Sequence, residues 1–175
     1  CLEQGGERTD PAEEGHGVVA RSTSGVILDA LFAVAVACGI GGPLVQSGNR
    51  RNWFFIPLVL ALGAASVAFL WLPATGLAVA LDLVLFIMAV MGGRVIPAFT
   101  NNAVAGANAR RNAWLERSAL GSVLLLLVCD AFQLHIASGA VALVAAVLHA
   151  ARLALWSPWS TRTRPILWIL HASYA

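Results

Sequence analysis

Lysine is absent from the sequence, and only 11% of the 175 residues are charged, compared with about 25% in an ordinary soluble domain. All 11 basic residues are arginines, and the net charge of +2 is small and spread along the chain, which excludes the basic surface of a nucleic-acid-binding protein. Hydrophobic residues make up 59% of the chain. They form runs close to the ~20 residues that a helix needs to cross a bilayer, so the sequence predicts an integral membrane protein whose first partner is the lipid bilayer.

Cysteine is also scarce. The three cysteines are an odd number and stand in no C-x-x-C or C-x-x-C-H motif, which excludes a disulfide framework and a c-type haem attachment. Cys38 and Cys129 are interpreted as small apolar helix residues. The sequence contains no visible nucleophile–base pair, carboxylate dyad or phosphate-binding loop, so we do not expect an enzyme.

Six apolar runs alternate with short connections. Five are long enough to cross a bilayer, and the sixth begins near residue 165 and ends with the chain. We therefore expect an all-α, polytopic transmembrane helix bundle of about five complete spans plus the start of a sixth. The runs cover roughly residues 24–46, 53–72, 76–98, 117–135, 138–156 and 165 onward.

Residues 1–23 differ from the rest because they are polar and rich in glycine, without the positive region or cleavage site of a signal peptide. We expect a disordered lead-in there and a transmembrane region over residues 24–175. Since the chain lacks an initiator Met and ends inside an apolar run, it is predicted to be a fragment of a larger membrane domain. The remaining transmembrane helices of the full-length chain are then expected partners.

Arginine is distributed unevenly among the connections. The turns over residues 72–76 and 137–139 are short and uncharged, whereas the first, third and fifth connections are basic. Short cytoplasmic loops collect arginine, so these three are predicted to be cytoplasmic and the lead-in to lie on the opposite side of the membrane. The arginines concerned are Arg50, Arg51, Arg110, Arg111, Arg117, Arg162 and Arg164.

Four ionisable residues are predicted near the outer side of the membrane. They are Asp29, Asp82 and Asp130, with His135 late in the fourth span. The carboxylates suit a proton or cation path, but they lie within a few turns of the surface, where water can solvate them.

A second set of polar residues is predicted near the inner side. His149 and Arg152 are three residues apart and share one helix face, and His171 lies at a similar depth in the next span. Two histidines at one depth suit axial ligation of a b-type haem, and neutral imidazole also binds copper. In the alternative interpretation, His149 bonds a backbone carbonyl or a serine of a neighbouring helix, and Arg152 extends to the inner interface.

The segment MGGRVIPAFTNNA, residues 91–103, predicts a broken or kinked helix. Pro97 cannot donate to the carbonyl of Gly93, and paired glycines precede it. Arg94 would then place a cation in a polar cavity, and Asn101 can bond the helix end. This combination suits an anionic group such as a haem propionate.

The pieces GGRVIPAFTNN (92–102), LHAARLALW (148–156) and TRPILWILHASYA (163–175) together resemble the NnrS family of bacterial membrane proteins. The resemblance covers roughly residues 53–175. It implies a larger multi-spanning protein that contains haem and copper and is linked to nitric oxide and nitrosative stress in denitrifying and related bacteria. Nitric oxide or its products are then expected partners.

The matching positions fall into two groups by their chemistry. The plausible metal ligands are His149 and His171. The residues predicted to bind a cofactor are Gly93, Arg94, Pro97, Asn101 and Arg152. The alternative hypothesis is a membrane transporter, in which the broken third helix forms a substrate site.

Overall fold

The computed structural model describes residues 11–48 and 52–175, and its regular structure there is helical, which confirms the predicted all-α class. A short 3-10 helix, Pro158–Thr161, separates the last two α-helices. The chain forms two compact units, residues 1–76 and 77–175. The α-helices are α1 (Pro11–Gln46), α2 (Phe55–Trp71), α3 (Pro73–Ala103), α4 (Ala113–Ala131), α5 (His135–Leu155) and α6 (Pro165–Ala172).

In the first unit, α1 packs against α2 through small residues. A Cβ atom at Gly63 would lie 2.6 Å from the Cβ atom of Ala33, so the missing side chain lets the two helices approach closely. Helix α1 begins at Pro11, well before the predicted boundary at residue 24, so the second half of the expected lead-in is helical. Residues 1–10, where the lead-in begins, lie outside the described residues.

A turn joins α2 and α3 as predicted, but it is shorter than the predicted residues 72–76, because residues 73–76 already belong to α3. Leu72 caps α2, and Pro73 begins α3 at a position where its missing N–H costs no helical hydrogen bond. One turn later, a Cβ atom at Gly76 would lie 2.6 Å from the backbone N and Cα of Phe69. Glycine at this position therefore leaves room for the backbone of Phe69 beside the first turn of α3.

In the second unit, the turn between α4 and α5 comes earlier than predicted. It occupies Phe132–Leu134, where Gln133 has a left-handed backbone with φ of 55°, and α5 already begins at His135. The predicted turn at residues 137–139 is therefore wrong. His135 lies at the start of the fifth helix, not late in the fourth. Phe132 and Leu134 hid this boundary, since they continue the apolar run through the turn and hydropathy alone does not separate a short turn from a helix.

Helix α3 runs without interruption through Pro97, so the predicted break over residues 91–103 is wrong. The side chain of Pro97 is buried within the second unit. Proline is tolerated inside transmembrane helices because neighbouring groups replace the one missing hydrogen bond.

Within the described part of the chain, three helices are long and apolar enough to cross a membrane by themselves: Ser24–Gln46 within α1, α3 and α5. Large apolar side chains on them point outward; Ile136, for example, is 94% exposed. Helix α2 has 17 residues, about 25 Å at 1.5 Å per residue, and α4 carries Glu116, Arg117 and Asp130 within its 19 residues. The chain is therefore a polytopic helical membrane protein.

Candidate functional site

A buried arginine holds three parts of the second unit together. Arg152 lies in the last turn of α5 and is only 2% exposed. Its Nη1 donates hydrogen bonds to the carbonyl of Ala89 on α3, at 3.0 Å, and to the hydroxyl of Tyr174 after α6, at 2.9 Å. Its guanidinium carbon also lies 5.1 Å from the ring centre of Trp156, a side chain that is itself 1% exposed. Cation–π attraction is strongest in such a desolvated place.

The two glycines that precede Arg94 make room for this cluster. A Cβ atom at Gly93 would overlap Nη2 of Arg152 and lie 2.7 Å from its Cζ. A Cβ atom at Gly92 would lie 2.7 Å from the ring of Tyr174. Their role is therefore close contact between α3 and the residues of α5 and the C-terminal segment, and not the helix break predicted from sequence.

Glu116, in the first turn of α4, supplies the negative charge of the cluster. Its carboxylate lies 3.8 Å from Nη2 of Arg152, too far for a hydrogen bond. It accepts two hydrogen bonds from Arg111, at 3.0 Å from Nε and 2.6 Å from Nη2, and these raise the pKa of Arg111. Two guanidinium groups and one carboxylate leave this cluster with one net positive charge, and Nε of Arg152 has no hydrogen-bond partner.

Glu116 was not predicted from the sequence, although one signal was present. It is the only glutamate after residue 14 of the chain, and it stands directly before the apolar span predicted to begin at residue 117. An acidic residue in the first turn of a helix also interacts favourably with the helix dipole, which gives it a structural explanation.

His149 is hydrogen-bonded at both ring nitrogens. Nδ1 lies 2.7 Å from the hydroxyl oxygen of Tyr174, and Nε2 lies 3.2 Å from the carbonyl of Ala119 on α4. The hydrogen bond to the carbonyl of Ala119 is of the kind that the alternative interpretation of His149 predicted. Arg152 shares the Tyr174 hydroxyl, so the residues form one continuous network across α3, α4, α5 and the segment after α6.

An apolar cavity of about 470 Å³ borders this network. Its wall comes from α3, α4 and α5, with side chains such as Met88, Leu126 and Ala145. His149 and Tyr174 contribute polar groups to the lining. Cavities of this size that combine apolar walls with a few polar groups are typical of small-molecule sites.

His171 lies beside the network but has different partners. It is 3% exposed, in the last turn of α6. Nδ1 lies 2.9 Å from the carbonyl of Leu167, one helical turn earlier, while Nε2 lies 3.4 Å from the carbonyl of Trp156 and 3.5 Å from the hydroxyl of Thr100. The two histidines therefore face different hydroxyl groups, Tyr174 for His149 and Thr100 for His171.

The other predicted cofactor residues are distributed along α3. Asn101 binds the backbone N and O of Ala109, at 2.9 and 3.0 Å, and so secures the connection between α3 and α4. Arg94 is half-buried one residue after Gly93, and Pro97 is buried. The structure thus brings Gly93, Arg152 and His149 into one network, while Asn101 acts at the end of α3.

The predicted outer residues divide between the two units. In the second unit, Asp82 on α3 is 4% exposed and lies close to Asp130 on α4. Oδ2 of Asp82 has no partner. His135 is exposed at the start of α5, and Asp29, in the first unit, lines a cavity of about 330 Å³ between α1 and α2. Among the described residues, no three histidine, cysteine or acidic side chains are grouped so that they could hold a metal ion.

The fold and the site define a polytopic helical membrane protein whose second unit is organised around a buried arginine, tyrosine and histidine network. The family model of the NnrS protein matches residues 16–175, and the chain belongs to this family. The match confirms the resemblance found in the sequence and extends it to α1. No curated protein and no solved structure matches the chain.

Proposed function

We propose that this chain is part of a haem- and copper-associated protein of the bacterial inner membrane that takes part in the response to nitric oxide and nitrosative stress. Membership of the NnrS family supports the proposal at the level of the protein class. The arginine-bearing connections would face the cytoplasm and the N-terminal segment the periplasm, because short cytoplasmic loops are rich in basic residues.

The observation that carries the proposal is the position of His149. Its imidazole lines the 470 Å³ apolar cavity, and its Nε2 is held by a backbone carbonyl. Metal-binding histidines usually donate their second ring N–H to a carbonyl or carboxylate, which orients the ring. His149 fits a metal ligand in this respect, with Nδ1 as the nitrogen that would bind.

His171 has the same kind of backbone hydrogen bond, but its other ring nitrogen is less accessible. A hydrogen bond from Nδ1 to the carbonyl of Leu167 would leave Nε2 for a metal. That nitrogen is buried beside Thr100 and Trp156, so a ligand would have to separate α6 from these neighbours. His149 is therefore the stronger candidate of the two.

Arg152 and Arg94 would pair with anionic groups of the cofactor. The cluster around Arg152 has a net positive charge, and Nε of Arg152 is buried without an acceptor. Charge-assisted bonds from a guanidinium to a carboxylate are among the strongest hydrogen bonds in proteins. When bound, haem iron or copper would supply the site at which nitric oxide coordinates.

The test is the absorption spectrum of the full-length protein purified in detergent, with metal analysis of the same sample. We expect a haem band and bound copper, with a shifted or lost band in His149→Ala and a change of the same kind in His171→Ala. His135→Ala is the matched control, because His135 is exposed at the start of α5. Protein made with ample haem and copper that contains neither would overturn the proposal. Unchanged spectra in both variants would overturn the ligand assignment.

The transporter hypothesis depended on a broken third helix. Since α3 is continuous from Pro73 to Ala103, that hypothesis loses the feature that motivated it.

A further inference from the structure

The hydroxyl of Tyr174 stands between two side chains that constrain its proton. The oxygen lies 2.9 Å from Nη1 of Arg152 and 2.7 Å from Nδ1 of His149. An arginine has only donors, so the tyrosine oxygen accepts from Arg152 and its own proton is directed toward His149. Nδ1 of His149 is then the acceptor.

The other ring nitrogen of His149 completes the assignment. Its neighbour is the carbonyl of Ala119, which can only accept, at 3.2 Å. The neutral ring has one N–H, and it is at Nε2. Both ring nitrogens of His149 therefore have hydrogen-bond partners, and the lone pair at Nδ1 accepts from the hydroxyl of Tyr174.

We infer that Tyr174 is a positioning residue that covers the metal-binding nitrogen of His149, so that a metal at Nδ1 and the Tyr174–His149 hydrogen bond exclude each other. The inference rests on the proposed function for its metal, whereas the hydrogen bond itself is a property of this chain. It assigns to Tyr174 a role in regulating access to the site.

The surroundings of Tyr174 support a fixed position for its hydroxyl. Its ring lies 4.8 Å, centre to centre, from the buried Trp156, and its edge occupies the space that Gly92 leaves free. Arg152 holds the hydroxyl from the opposite side. These contacts keep the ring next to His149, on the wall of the cavity that a ligand would enter.

The first test is nitrogen-15 NMR of the full-length, metal-free protein with labelled histidine, with His149 assigned by its loss in His149→Gln. We expect a proton on Nε2 and a hydrogen-bonded, unprotonated Nδ1. In Tyr174→Phe, which removes only the hydroxyl, the Nδ1 resonance should move toward the value of a free imidazole nitrogen. A proton on Nδ1 in the wild type would overturn the inference without any variant. Unchanged His149 resonances in Tyr174→Phe would do the same.

The second test is titration with copper(I). Tyr174→Phe should bind it more tightly by roughly 2- to 10-fold, the value of one hydrogen bond that no longer competes. Equal affinity in the wild type and Tyr174→Phe, together with loss of binding in His149→Gln, would overturn the competition. Failure of the full-length protein to bind haem or copper would instead count against the proposed function, and the NMR result would still decide the role of Tyr174.

Discussion

Replacing Gly93 by alanine tests whether the glycine pair serves the arginine cluster. The new Cβ atom would overlap Nη2 of Arg152. Because the guanidinium is at the end of a flexible side chain and can rotate away, relieving the overlap costs little free energy by itself. The larger cost is the loss of the hydrogen bonds from Arg152 to Ala89 and Tyr174, which the rotated guanidinium can no longer form. Interhelical hydrogen bonds in membrane proteins contribute about 0.6 to 1.7 kcal/mol each, so losing both costs roughly 1–3 kcal/mol.

The matched control is Gly121→Ala on α4, where a Cβ atom would meet nothing within 4 Å. Both substitutions gain the same helix propensity, up to about 1 kcal/mol, so the difference between them isolates the contact. We expect the free energy of unfolding in detergent to be roughly 1–3 kcal/mol lower for Gly93→Ala than for Gly121→Ala. This difference in the free energy of unfolding should become smaller when Arg152→Met is introduced into both glycine variants. Equal stability of the two glycine variants, or a penalty that persists without the guanidinium, would refute the reasoning.

Two further predictions concern the ends of α3 and α4. Asn101→Ala removes both bonds to Ala109 and should speed hydrogen exchange of the Ala109 amide by about fivefold or more, whereas Asn102→Ala at the exposed neighbouring position should not. Asp82→Asn should leave the thermal midpoint unchanged or raise it. Two carboxyl groups can share a hydrogen bond only when one of them is protonated, whereas the amide of asparagine can donate to Asp130 directly. A lower midpoint for Asp82→Asn would contradict this view of the pair.

The helices were predictable because hydropathy and length are local properties of the sequence. Pro73 and the short uncharged turn around it marked the boundary between α2 and α3 correctly. The boundary between α4 and α5 was misplaced because Phe132 and Leu134 continue the apolar run through a turn. The left-handed backbone conformation of Gln133 cannot be predicted from hydropathy.

The predicted break in α3 failed for a different reason. Glycine and proline destabilise an isolated helix, and that rule assigned Gly92, Gly93 and Pro97 to a broken or kinked helix, of which the structure contradicts the break. In the folded unit, both glycines are needed for contact with Tyr174 and Arg152, and the helix continues. Local sequence shows that a position lacks a side chain, but only the packed neighbours show what fills the space.

The three segments that carry the family resemblance meet in one place. Glycines of the first segment contact Arg152 of the second and Tyr174 of the third, and Trp156 packs on the tyrosine ring. Each segment was recognisable by itself, and helix periodicity placed His149 and Arg152 on one face. Their partners lie 22 to 63 residues away in the sequence, as the bonds of Arg152 to Tyr174 and Ala89 demonstrate. Such contacts are set by how the helices pack, so the shared face of His149 and Arg152 could be predicted from the sequence, while the tyrosine that covers His149 could not.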